Sequence, residues 1–218
     1  LAHSNTVLLA TTMGAVAVTE QAIINHAHEQ GLIVPNRKHQ DSGLGAAGAY
    51  VAYPKKGLHD WIGSLDLNSL YPSVIRALNM GPETIIGQLR PILTDHAVQT
   101  AMAQKKTFAD AWEGQFGSKE YQAVMNMEAG TELTIDWENG DEDIVSAADC
   151  WRLMFDSNKP WVLSANGTIF TVEKKGVVPG LLERWYAERK ELQAKMRETD
   201  GEEREFWDKR QLVKKINL

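Results

Sequence analysis

Apolar and polar positions along this chain fall into two periods, and the changeovers mark its elements. The stretch "TEQAIINHAHEQ" (19–30) predicts a helix capped by Thr19 and stopped by Gly31, followed by the short apolar "LIV" and Pro35. The Gly/Ala-rich "GLGAAG" (43–48) predicts a turn that feeds the strand-like "AYVAY" (49–53). A turn over 54–60 then leads into "WIGSLDL" (61–67), a second strand. Two adjacent strands with Asp66 at the end of the second predict a sheet with an acid at its rim.

Pro72 permits a helix start, and "SVIRALNM" (73–80) carries apolar positions 74, 75 and 78 at helical spacing. Residues 91–127 look largely helical and amphipathic. "TELTIDWENGDEDIVSA" (131–147) alternates around an Asn-Gly turn and predicts a hairpin. A second hairpin is predicted in "WVLSANGTIFTVE" (161–173), where Asn166-Gly167 is the strongest short-range turn signal in the chain. "GLLERWYAERKELQAKM" (180–196) and "EEREFWDKRQLVKKINL" (202–218) predict two helices joined by "RETDG", an antiparallel pair. There is no internal repeat and no low-complexity tract. The class is α+β.

Composition narrows the functional classes. At 218 residues, 43% hydrophobic and 24% charged, the chain is ordinary globular material. No apolar run approaches the roughly 18 to 20 residues of a membrane span, and "LLATTMGAVAV" lacks a basic lead, which suggests a cytosolic protein without a membrane partner. The single cysteine, Cys150, excludes an internal disulfide and a Cys-based zinc cluster. A net charge of −6 argues against a whole-surface grip on a polyanion but leaves room for a local basic groove. His26 and His28, two apart on a helix, make a poor metal pair. The acidic "ENGDED" (138–143) lacks calcium-loop spacing and reads as a solvated hairpin tip. Trp137, Trp151 and Trp161 read as core. The chain opens on Leu1 and stops at Leu218 inside a helical pattern, so it is expected to be a piece of a longer polypeptide.

The chemistry concentrates at "GSLDLNSLYPSV" (63–74). On spacing alone Asp66 is a strand-end cap or turn former. Its neighbours suggest another use, because the segment from Leu67 to Leu70 can present successive backbone N–H groups to an anion. The carboxylate can meanwhile hold a hard divalent cation that neutralises the same phosphate. That is a geometry for phosphoryl transfer.

"DLNSLYPS" (66–73) resembles the first catalytic motif of family B DNA polymerases, D-x-x-S-L-Y-P-S, and "VIRALNMGPETIIG" (74–87) looks most like the replicative polymerases of tailed bacteriophages. "GAAGAYV" (45–51) sits where that family has its glycine-rich link into the palm. "ANGTIFTVEKKGVVPGLLERWYAERKELQAKM" (165–196) looks like its hairpin and first fingers helix. "RQLVKKINL" (210–218) looks like the start of its second motif, K-x-x-x-N-S-x-Y-G, broken off before the asparagine. The resemblance implies a partial polymerase palm, an antiparallel sheet with flanking helices, plus a two-helix antiparallel fingers hairpin. Residues 1–60 would be a helical linker and glycine-rich segment, 61–175 the first part of the palm with an inserted helical and hairpin region, and 176–218 the fingers helices.

Residue by residue, the resemblance implies that Asp66 is one of two carboxylates binding two catalytic Mg2+ ions, with the Leu67 carbonyl near the same metal. Amides around Asn68, Ser69 and Leu70 would cradle the triphosphate. Tyr71 would pack under the sugar and exclude a 2′-hydroxyl; a core aromatic fixed by Pro72 is its structural alternative. Arg189 would grip the outer phosphates and Lys215 those nearer the reacting centre, with Gln211 one turn before Lys215 on the same face. The family commonly has a second basic residue four after the arginine. That position is Gln193 here, and Lys195 is the nearby substitute.

The implied reaction of the complete enzyme is attack of a primer 3′-hydroxyl on the α-phosphate of a deoxynucleoside triphosphate, in DNA replication in the cytoplasm of a phage-infected bacterial cell. Its partners would be primer-template DNA, deoxynucleoside triphosphates, the rest of the polymerase chain or a complementing chain, and a sliding clamp. Neither the family's D-T-D motif nor its acidic 3′–5′ exonuclease motifs occur in the chain, so alone it is expected not to polymerise. Two alternatives stand beside this reading: the N-terminal-side chain of a naturally split polymerase, and a non-catalytic nucleotide- or DNA-binding module.

Overall fold

The computed structural model describes residues 1–36, 51, 53–104 and 116–218. A short helix α1 (Ala2–Asn5) and a 3-10 turn (Leu9–Met13) lead into α2 (Ala15–Glu29). This helix starts at Ala15 and not after Thr19. Between Gly14 and Thr19 the run Ala-Val-Ala-Val holds no breaker, and the Thr19 hydroxyl donates back to the Ala15 carbonyl at 2.9 Å, so Thr19 lies inside the helix and does not cap it. Gly31 stops the helix as expected. Its φ of +72° lets its N–H reach the His28 carbonyl while the Leu32 N–H reaches that of Ala27, both at 2.9 Å, which is a Schellman closure.

The structure has no strand at 61–67, and the sheet lies elsewhere. Extended residues become a strand only by pairing, and these have no hydrogen-bonded neighbour among the described residues. Asp66 therefore stands at no sheet rim. The expected "GLGAAG" turn and most of "AYVAY" lie outside the described residues; Val51 and Tyr53 are exposed and carry no strand structure.

Helix α3 (Leu70–Ala77) begins two residues before Pro72, which sits in its first turn, where its missing N–H costs no bond. A 3-10 turn (Pro82–Thr84) then feeds β1 (Ile85–Leu89), a strand absent from the sequence expectations. The region 91–127 holds α4 (Ile92–Ala103) and α5 (Lys119–Met125), with 105–115 outside the description. Both hairpins form: β2 (Glu132–Trp137) with β3 (Glu142–Ser146), and β4 (Trp161–Leu163) with β5 (Thr168–Thr171). Gly140 and Gly167 take φ of +90° and +88° in the two turns, as Asn-Gly turns demand. Between the hairpins, α6 (Ala147–Trp151) runs into a π-helical turn (Arg152–Asp156). The sheet is antiparallel in the order β3-β2-β1-β5-β4, so β1 joins the two hairpins from the centre.

Two local devices fix this layer. Asp136 and Glu142 face each other across β2 and β3, a repulsive pairing. Arg90 relieves it by bonding both carboxylates at 2.5 Å, and those bonds, Asp136 first, hold its guanidinium above its ordinary pKa. Glu120, buried on α5, receives the N–H groups of Leu93 (2.6 Å) and Thr94 (3.0 Å) and the Thr94 hydroxyl (2.5 Å). It thus caps the start of α4 with a carboxylate from another element.

The last two helices, α7 (Val177–Glu198) and α8 (Gly201–Asn217), run antiparallel as expected: Lys195 lies over Trp207, Arg189 bonds Gln211, and Lys214 pairs with Glu188. Two cores result. Under the sheet, Leu89, Val124, Leu133, Ile135 and Ile169 pack with Cys150. Against α7, Ala22 of α2 meets Leu181, Leu182 and Trp185, with Ile75 of α3 and Leu218 at the margin. Burying a side chain of this size contributes about 1.5–3 kcal/mol, so each cluster holds its elements firmly. Glu29 of α2 adds an ion pair to Arg184 of α7 at 2.7 Å, and that bond, helped by His26, keeps its carboxyl below the usual range.

Burial pushes the Cys150 thiol up to about 11 from 9.0. The unfolded chain releases this proton first, so it binds fewer protons than the folded chain between those values, and stability falls as pH rises from about 9 to 11. Urea unfolding midpoints should decline across that window in the wild type and less in Cys150→Ala. Thiol titration at pH 8 should find Cys150 unreactive until the chain is denatured.

Candidate active site

The segment that leads into α3 has the exposure of a working surface. Asp66 is exposed and makes no hydrogen bond or ion pair among the described residues. Asn68 and Ser69 turn the chain, and Ser69 adopts φ 50° and ψ 50°, the left-handed region, directly before the right-handed helix. The Ser69 side chain makes no capping bond; its carbonyl accepts the Ser73 N–H at 2.9 Å, and Ser73 Oγ lies 3.5 Å from the Asn68 carbonyl. Pro72 has no N–H, so the amides of Leu70 and Tyr71 remain without an acceptor among the described residues. A left-handed residue followed by right-handed ones makes a concave set of N–H groups that suits an oxyanion.

Tyr71 is 68% exposed and Leu67 69%, so the alternative of a core aromatic at 71 is not what the fold adopts. Behind the exposed face, Ile75 packs against the α7 cluster. Arg76 places its guanidinium 4.7 Å from the centre of the Tyr186 ring on α7, and Lys190 Nζ lies 4.9 Å from the same ring. The Arg76 contact ties the motif helix to the helix that carries Arg189, whereas Lys190 lies on that same helix.

Arg189 is half-buried, and its Nε donates to Gln211 Oε1 of α8 at 3.3 Å. Gln211 in turn donates to Asp208 at 2.8 Å. Lys215, one turn further along α8, is exposed and has no ion pair among the described residues. The fold thus brings Arg189, Gln211 and Lys215 to the paired helices, with α3 on the same α7. Lys195 stands apart, its ammonium 4.8 Å from the Trp207 ring, and Gln193 is half-buried.

A hard cation needs oxygen donors, and Mg2+ takes one or two carboxylates together with phosphate oxygens. Asp66 and the Leu67 carbonyl are of that kind. Among the described residues no group of three or more His, Cys, Asp or Glu side chains is placed to hold a metal.

Sequence reasoning missed Asn79. This residue is 3% exposed, takes φ 53°, and ends α3 in a Schellman closure: its N–H meets the Arg76 carbonyl and the Met80 N–H that of Ile75. Glycine would serve the backbone, but only asparagine supplies a carboxamide. Its Nδ2 donates to the Thr171 and Lys174 carbonyls, both at 2.8 Å, and its Oδ1 accepts the Gly176 N–H at 3.0 Å. Glu83 follows suit, receiving the Val177 N–H at the start of α7 at 2.5 Å. An Asn placed between a helical pattern and Gly81-Pro82 was the available signal.

The profile of DNA polymerase family B matches residues 5–217, and the chain belongs to this family. It is 40% identical over 67 residues to DNA polymerase 2 of Aeropyrum pernix, which is 31% of this chain and 8% of that protein. To the DNA-directed DNA polymerase of Escherichia phage RB69 it is 39% identical over 69 residues, 31% of this chain and 7% of the other. To that of Enterobacteria phage T4 it is 54% identical over 43 residues, 20% and 5%. The chain spans under a tenth of the length of these relatives. No solved structure matches it.

Asn79→Ala removes three bonds of a buried side chain and leaves two carbonyls and an N–H without that partner. Urea titration should show a loss of about 3 kcal/mol. Asn79→Gly keeps the backbone conformation and should recover only the strain component, well under half of that loss.

Proposed function

We propose that this chain is the part of a phage-type, template-directed DNA polymerase that carries the first catalytic carboxylate and most of the nucleotide-gripping helices. One observation carries the reading: an exposed, unpaired Asp66 stands directly before a turn with two free amides and an exposed tyrosine. Two of the similar proteins are phage enzymes, which supports the subtype. In this reading 1–60 lead into the palm, 61–175 form its first part, and 176–218 are the fingers.

The residues divide the work by their chemistry. Mg2+ held by Asp66 and the Leu67 carbonyl, with a second carboxylate from elsewhere in the longer enzyme, would supply activation of the primer 3′-hydroxyl and neutralise phosphate charge. The amides at Asn68 to Tyr71 receive the triphosphate. The Tyr71 ring fills the space a 2′-hydroxyl would need. Arg189, its plane set by Gln211, binds the outer phosphates bidentately, and Lys215 approaches the inner ones as a point charge. Lys195, engaged with Trp207, takes at most a supporting part. Movement of α7 and α8 would carry these cations toward the nucleotide, a step of fingers closure. Primer-template DNA and deoxynucleoside triphosphates are the partners in this reading, with a sliding clamp on the complete polymerase in the cytoplasm.

Primer extension tests it, using a polypeptide or chain pair that unites these residues with a second carboxylate motif. Asp66→Ala should lower incorporation by at least about 10³-fold while the urea midpoint stays unchanged. Unchanged incorporation would overturn the catalytic assignment and favour a non-catalytic binding module. Tyr71→Ala should raise ribonucleotide use relative to deoxyribonucleotide by about 100-fold, read from the ratio of kcat/KM values.

A further inference from the structure

Across the sheet, Trp137 ends β2 and Trp161 begins β4, with β1 and β5 between them. Their rings nonetheless meet, centroids 5.3 Å apart and inclined by 51°. Gly87 of β1 makes this possible, since a Cβ there would stand 2.9 Å from Cε3 of Trp137. The indole therefore lies across a bare stretch of backbone. Trp137 shares its face of β2 with the buried Leu133 and Ile135, so the two rings form the open end of the sheet's core face, half-buried and reached by solvent.

Two adjoining cavities open there, of about 420 and 370 Å³, sharing Trp137, Asn139 and Trp161. Their rims carry five carboxylates and one cation, Lys159. Three of the acids are engaged: Asp143 accepts Trp137 Nε1–H at 2.7 Å, Asp141 accepts Asn139 at 2.6 Å, and Glu142 pairs with Arg90. Glu138 and Glu173, both exposed, have no side-chain partner among the described residues. Lys159 makes no ion pair among those residues either; its ammonium rests 4.1 Å from the centre of the Trp161 ring. The cleft thus already holds a cation by an aromatic face, from within the chain.

We propose that the Trp137–Trp161 cleft is a docking site for an arginine side chain on a basic peptide segment of a partner protein. A planar guanidinium stacks on an indole and offers paired N–H donors to Glu138 and Glu173, which a lysine ammonium cannot match. The same carboxylates repel phosphate, so a nucleic acid does not fit.

The test uses the 218-residue chain labelled with 15N at its tryptophans, titrated with an acetylated Gly-Arg-Gly-Arg-Gly peptide at low salt. The indole N–H signals of Trp137 and Trp161 should shift saturably, while the other tryptophans stay still. Citrulline in place of arginine should abolish the shift, and lysine should weaken it. The double variant Glu138→Gln, Glu173→Gln, exposed at both positions, should weaken binding about tenfold without changing the fold. Lys159→Ala should tighten it. An absent or non-saturable shift, an equal response to citrulline, or unchanged affinity in the double variant overturns the proposal. So does a single-stranded oligonucleotide that saturates the same two signals.

Discussion

Because the Asn79 carboxamide bonds Thr171, Lys174 and Gly176 at once, the end of α3, the exit of β5 and the start of α7 share one buried anchor. The sheet and the helices are joined there. A buried amide with all its main bonds made is held in a single orientation, because any other would strand polar groups away from water. Thr84 extends the anchor, its hydroxyl bonding the Asn79 carbonyl at 2.6 Å and receiving the Gly81 N–H at 3.0 Å. The sheet cannot tilt against the helices without breaking several of these bonds together.

This anchor holds α3 by its C-terminal end. Ile75 and Arg76, in the second half of the helix, supply its contacts to α7, whereas Leu70 and Tyr71 in the first turn are exposed. The helix is a cantilever whose free tip is the turn at Asn68 and Ser69. The same α7 is bonded to α8 through Arg189–Gln211 and Glu188–Lys214, so the paired helices connect to α3 at its base. The electrostatics divide similarly. Carboxylates gather at the β2–β3 hairpin, while α7 and α8 carry acids and bases in near balance, several of them paired with each other.

Local chemistry was legible in the sequence, and remote pairing was not. Both Asn-Gly hairpins and the Gly31 stop depend on backbone conformations that one or two residues decide, and each formed where expected. Strand β1 was hidden because "IIGQL" is short, is interrupted by Gly87, and pairs with residues about 50 and 80 positions away. At 61–67 the opposite error arose: Leu65, Asp66 and Leu67 alternate, yet alternation describes a half-buried strand only if a neighbour exists. For the candidate site, the identity of the "DLNSLYPS" residues was legible. The left-handed Ser69 was not, because no glycine marks that turn; the cation–π grip of Arg76 on Tyr186 and the Asn79 anchor were not, because both depend on elements distant in the chain.

Asn5 and Asn217 exchange hydrogen bonds through their side chains at 3.2 and 3.3 Å, joining α1 to the end of α8 across 212 positions, while Asn25 donates to the Asn5 carbonyl. A growing chain meets these contacts in a fixed order. The sheet, complete at Thr171, can assemble during synthesis, whereas the first helices keep an open amide until the last turn of α8 has left the ribosome. The helical core therefore closes only once α8 is complete, so its assembly follows the sheet's in the order of synthesis.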